Sequence, residues 1–133
     1  MTTQNTWQIG TISEQVANLL GQISDVNKPI LIGDNNVMHI KKKHFADYQK
    51  YGHHISTILS SPDYVGTNPS DGSIEYVKEF KIDKEFVKVA VRLTGSQQYF
   101  VRSLYVLNNN RVNNFIRKGT LNRFDKNFMY VII

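Results

Sequence analysis

Two histidines bracket three lysines in the segment His39-Ile40-Lys41-Lys42-Lys43-His44. Imidazole has an unperturbed pKa near neutrality, so it can take or release a proton at physiological pH. Lysines beside it add affinity for phosphate without reading base sequence. RNA can be cut without metal when its own 2′-hydroxyl attacks the adjacent phosphate. The protein must then supply a base, an acid for the leaving oxygen, and cations or donors around the crowded phosphorane. His39 and His44 suit the proton transfers, and Lys78, Arg92 and Arg102 suit the charge. Ser103 and Tyr105 can donate to non-bridging oxygens, and Glu75 is a second acid/base group or a carboxylate that orients a histidine. Two histidines five apart lack the i, i+4 spacing of a helical zinc pair and no third ligand stands out, so neither a metal nor another cofactor is expected.

The elements that must position these groups follow from the hydrophobic pattern. Residues 1–10 are polar and read as a tail or linker, with one domain over 11–133. Thr11-Ile12-Ser13-Glu14 fits a capping box, and Ile12, Val16, Leu19, Leu20 and Ile23 recur at helical spacing. Pro29 to Gly33 reads as a buried strand, and Asp34 or Asn35 caps a second helix running to about Tyr51. On that helix the two histidines stand roughly 140° apart, so one narrow site takes both only if the helix begins or bends between them. A third helix carries Ile55, Ile58 and Leu59 and ends before Pro62, while His53-His54 reads as solvated surface.

Beyond Pro62 the period becomes strand-like over 73–82, 85–93 and 97–107, with turns short enough for an antiparallel meander. In the second of these strands Val87, Val89, Val91 and Leu93 point one way, and Lys88, Ala90 and Arg92 the other. The first face should pack on the helices, and the second should line a cleft. Both faces of the third strand are mixed. A last helix after Asn108 presents Val112, Phe115 and Ile116 and ends at Gly119, and Phe128 to Ile133 is a candidate edge strand. Helices first and a sheet afterwards give an α+β fold, with N-terminal helices on one face of a roughly four-stranded antiparallel sheet.

The formal charge of +5 is uneven: residues 1–38 carry −2 and residues 39–133 carry +7. Such asymmetry favours a polyanionic partner, most economically RNA, although solvated lysines give small domains the same balance. Lys41, Lys42, Lys43, Arg92, Arg102, Arg117 and Lys118 are the candidate nucleic-acid contacts. Zero cysteines exclude disulfides and thiolate metal sites in this chain. No apolar run reaches the roughly 20 residues that span a bilayer, and no signal-peptide pattern opens the chain, so no membrane partner is expected.

The ordered string His39-Ile40, His44, Tyr48, Ile55, Ile58, Pro62 to Gly66, Asn68-Pro69 and Ser73 to Lys78 resembles phage-associated nucleases of the barnase/EndoU/colicin/RelE-like superfamily. Phe100 to Tyr105 and Ile116-Arg117-Lys118-Gly119 with Leu121 continue the likeness, which spans roughly residues 28–123. The resemblance implies a metal-independent RNase site on an open sheet face, with His39, His44, Glu75, Lys78, Ser103 and Tyr105 at the recurring polar positions. It also implies a toxin-like role, tRNA among the substrates, a cytoplasmic site of action after phage or toxin delivery, and an immunity or antitoxin partner. One departure is Thr120, where an Arg would be expected after Gly119. A non-catalytic RNA-binding or phage-assembly module, or a basic domain docking an acidic protein, fits the same composition.

Overall fold

The computed structural model describes residues 5–125. The described residues form an α+β fold with five α-helices and a seven-stranded mixed sheet. Its strands are β1 (Thr6–Thr11), β2 (Pro29–Gly33), β3 (Tyr64–Thr67), β4 (Ile74–Phe80), β5 (Glu85–Leu93), β6 (Tyr99–Leu107) and β7 (Leu121–Arg123), ordered β1-β2-β6-β5-β4-β3-β7. The helices are α1 (Glu14–Leu19), α2 (Asp34–Lys43), α3 (Phe45–Tyr51), α4 (Ile55–Ser60) and α5 (Asn109–Arg117).

The sheet is larger than the four antiparallel strands expected. The β4-β5-β6 meander forms as its turns require, but β2 lies parallel to β6 through Ile30↔Tyr99 and Leu31↔Phe100. Residues 6–10, read as part of a tail or linker, belong to β1, which pairs antiparallel with β2. Its polar residues look unstructured locally because the partner strand, not its own pattern, satisfies its backbone. The proposed strand over 128–133 lies outside the described residues. The first helix is capped by Ser13, not Thr11: the Ser13 hydroxyl accepts from the Val16 amide at 3.2 Å. The helix expected to run unbroken to Tyr51 stops at Lys43 and restarts at Phe45, with His44 at φ −139°, ψ 53° between them.

One sheet face carries the main core, in which Val16, Ile40, Tyr51, Ile55 and Ile58 from the first four helices pack on Tyr76, Val87, Val89, Val91 and Val101. On the opposite face α5 covers a smaller cluster of Val77, Leu107, Val112 and Leu121. The mixed faces of β6 have a local cause. Ala90 pairs with Ser103 and Val91 with Val101, so Arg102 is an extra, bulged residue. Tyr99 and Val101 before it and Leu104 after it therefore all join the main core.

Candidate active site

Beside the α5 cluster the second face is built from two cross-strand rows, whose Leu121 and Val77 members belong to that cluster and whose Glu75, Lys88 and Ala90 are also buried. One runs Leu121-Gly66-Glu75-Ala90-Ser103, the other Val77-Lys88-Tyr105. Small side chains at Gly66 and Ala90 leave room around Glu75. A Cβ at Gly66 would lie 2.0 Å from the Thr120 carbonyl oxygen, so only glycine lets β7 close on β3 here. Diagonally across the rows, Lys88 Nζ donates to Glu75 Oε2 at 2.6 Å, with the two side chains 10% and 8% exposed. The Asn68 amide makes a longer contact with the same oxygen at 3.4 Å.

Burial alone would push the Lys88 ammonium down, but the contacts with Glu75 and Tyr105 outweigh it and hold its pKa above the usual lysine value. Lys88 is therefore a fixed cation at neutral pH, not a base. Its ammonium also lies 4.7 Å from the centroid of the Tyr105 ring. His44 stacks on that ring, with centroids 4.9 Å apart and planes at 24°. Glu75, Lys88, Tyr105 and His44 thus form one contiguous constellation.

The break between α2 and α3 sets the position of His44. Because β2 pairs with β6 only at Tyr99 and Phe100, the rest of that edge is open to the helices. Asp47 Oδ2 accepts from the Val106 amide at 3.1 Å and ties α3 to it. One and a half turns earlier, His39 lines a cavity with Asn36, Arg92, Phe100 and Arg102. His39 and His44 consequently flank the stretch of β6 from Arg102 to Tyr105, roughly 10 Å of extended chain.

Of the residues singled out from sequence, His39, His44, Glu75, Arg92, Arg102, Ser103 and Tyr105 border this face. Glu75 meets Lys88 rather than orienting a histidine. Lys78 does not join them. Three residues from Glu75 on one strand, it projects to the helix side, where its Nζ donates to the Ser61 carbonyl at 3.1 Å. Lys41 turns away toward Tyr48, 5.4 Å from its ring, while helical spacing puts Lys42 and Lys43 nearer the His39 stripe. Arg117 donates to Asn114, and Lys118 and Thr120 line a separate depression beside Thr67 and Pro69. The site residue that sequence reasoning left unassigned is Lys88. Strand alternation places it on the charged face, and its parity with Arg92 is the signal that favours it over Lys78.

A protein-family model described as phage-Barnase-EndoU-ColicinE5/D-RelE like nuclease3 matches residues 8–114, which takes in every element of the constellation. The match begins earlier than the resemblance read from motifs and stops before Arg117, Lys118 and Thr120. No curated protein and no solved structure matches the chain.

Proposed function

The chain belongs to the phage-Barnase-EndoU-ColicinE5/D-RelE like nuclease3 family, and from that premise we propose that this nuclease is a metal-independent endoribonuclease, with tRNA among its substrates. In the proposed step a base removes the 2′-hydroxyl proton as that oxygen attacks phosphorus. The bond from phosphorus to the 5′-oxygen breaks, an acid returns a proton to the departing oxygen, and a 2′,3′-cyclic phosphate remains. Attacking and leaving oxygens lie roughly in line, so base and acid must approach from opposite sides. His39 and His44, at the two ends of the Arg102–Tyr105 stretch, supply that pair.

Lys88, Arg92 and Arg102 take the charge that grows on the phosphorane, and Ser103 and Tyr105 donate to its non-bridging oxygens. Glu75 acts through Lys88, holding its ammonium in place. Groups aimed at developing charge are worth roughly 10²–10³ in rate each. The buried Lys88–Glu75 pair beside the His44–Tyr105 stack is the observation that carries this reading. A hydrophobic pair of similar volume would serve stability equally well or better, so a charged pair kept under cover marks a site where charge is used. Among the described residues no helix is long and apolar enough to cross a membrane. We extend the proposal to a toxin-like role in the cytoplasm and to an immunity or antitoxin protein whose acidic face covers the same cations.

The test incubates total tRNA in EDTA with the unmodified protein and with a His39→Ala, His44→Ala double variant shown to be folded by circular dichroism. Discrete fragments ending in cyclic phosphates, made only by the unmodified protein, are expected. Undiminished cleavage by the double variant removes the histidine assignment. Intact RNA across several RNA classes replaces cleavage with a binding or phage-assembly role.

A further inference from the structure

Met38, Lys41, Phe45, Tyr48 and Gly52 recur at alternating intervals of three and four residues along α2 and α3. That is the spacing of a seam on which a second helix packs, knobs into holes. The opposite side of these helices is already buried through Ile40 and Tyr51. The stripe itself faces outward, with Met38 66% and Phe45 56% exposed. The break at His44 does not interrupt it. Lys41 from one side of the break and Phe45, Tyr48 and Gly52 from the other line a single depression of about 460 Å³.

Gly52 shapes that depression. A Cβ there would lie 2.8–2.9 Å from Cε2, Cδ2 and Cζ of Tyr48, so the tyrosine ring lies over the glycine. The Lys41 ammonium stands 5.4 Å from the centroid of the same ring. Lys41, Lys42 and Lys43 form no ion pair among the described residues. Neither carboxylate of these helices compensates them: Asp34 sits in the first turn of α2, and Asp47 accepts from the Val106 amide. Exposed apolar anchors among uncompensated cations fit a partner that brings apolar anchors and carboxylates. A second copy of this chain would set lysines against lysines. RNA holds cations through phosphate and aromatic rings through stacked bases, and neither covers the Met38 thioether or the Tyr48 face given to Gly52.

We propose that this seam docks an acidic amphipathic helix of a partner protein. Apolar residues of that helix at i, i+3 or i+4, and i+7 meet Met38, Phe45 and Tyr48, and its carboxylates meet Lys41 and Lys42. The depression shares no lining residue with the Glu75, Lys88, Tyr105 and His44 constellation, so docking here is independent of RNA cleavage.

The probe is a capped peptide of about 18 residues, roughly five turns of helix, with Leu at the seam spacing and Glu between. Its controls are a peptide of the same composition with the leucines scattered around the helix, one with Lys in place of Glu, and a single-stranded RNA of similar length. Each is titrated into the full chain and followed by amide chemical shifts. The acidic amphipathic peptide should shift residues 38–53 and bind at least roughly 10-fold tighter than either control peptide. Phe45→Ala and Lys41→Glu should each weaken it by roughly 10-fold or more, and both side chains are exposed, so folding should hold. Lys81→Glu makes the same change in net charge beside a different cavity and should stay within about 2-fold.

Undiminished binding by Phe45→Ala and Lys41→Glu would mean that the peptide sits on other cations, and would overturn the seam. Equal affinity for the scattered-leucine peptide, or no shift at up to roughly 1 mM peptide, would do the same. RNA binding over 38–53 more tightly than the peptide would make this face an RNA track instead. Self-association of the chain, abolished by Phe45→Ala, would make the occupant a second copy instead.

Discussion

Replacing Lys88 by methionine should be the most damaging single change in the constellation. The methionine fits the ammonium's volume but leaves the Glu75 carboxylate, 8% exposed, without the partner 2.6 Å away. The Asn68 amide at 3.4 Å is too long to replace a charged donor. Breaking a buried pair by removing one member costs about 3–5 kcal/mol, most of it the penalty on the stranded charge. That is a sizeable share of the roughly 5–15 kcal/mol that holds a domain of this size folded. Removing both charges should be far milder, because no ion is then left behind. Urea unfolding of Lys88→Met, Glu75→Gln and the double variant gives the coupling directly. We expect the double variant to be more stable than Lys88→Met alone, with a coupling of roughly 1–3 kcal/mol. Additivity within about 0.5 kcal/mol, or a single-variant cost below about 1 kcal/mol, would mean that the two groups are solvated separately, and the constellation built on them would fall.

Gly66→Ala forces a Cβ to within 2.0 Å of the Thr120 carbonyl and should cost roughly 1–3 kcal/mol or more, while Gly95→Ala, with nothing within 4 Å, should stay within about 0.5 kcal/mol of the parent in the same unfolding assay. The Tyr99 hydroxyl, donating to Asp25 at 2.5 Å, and then Lys28 hold the Asp25 carboxyl below its ordinary range. A depressed carboxyl contributes stability that is present above the unfolded value and lost as pH falls through the folded one, so Tyr99→Phe should flatten the loss of stability below about pH 4; an unchanged acid limb would refute this. Deleting Arg102 leaves Tyr99, Val101 and Leu104 in simple alternation on the core face, so the melting temperature should hold while RNA cleavage falls, and a collapsed fold would show that the bulge itself is structural.

Much of this architecture is legible in the sequence because it is locally periodic. The strands β2, β4, β5 and β6, the helix α4 and the Asn108 cap of α5 all lie where pattern and turn residues put them. The faces of β5 follow alternation through Val91, with Val87, Val89 and Val91 inside and Lys88 and Arg92 on the other side, but Leu93, expected on the packed face, is exposed at the strand's end. The strands β1, β3 and β7 are not legible for a shared reason. They run three to six residues and take their order from distant partners, as Gly66↔Leu121 and Trp7↔Ile32 illustrate. The parallel β2–β6 pairing is likewise non-local. At the site, parity alone separates Lys78 from Glu75 and joins Lys88 to Arg92, so the choice between those lysines was available from strand alternation.

The two features that assemble the constellation are the ones no periodicity encodes. A continuous helix from Asp34 to Tyr51 would hold His39 and His44 roughly 140° apart, facing different surroundings. The break at His44 releases the second imidazole onto Tyr105. A regular β6 would put Arg102 opposite Ser103 and Tyr105, in the core. The bulge brings it instead into the cavity that also holds Arg92 and His39. Both departures fall at the same edge of the sheet, where β6 has lost its β2 partner and Asp47 takes over the Val106 amide. Ending the β2 pairing early frees that edge, and the freed edge admits a broken helix. At this edge the irregular backbone lies on the surface where the histidines and arginines converge, while Tyr99, Val101 and Leu104 keep the core beneath it intact.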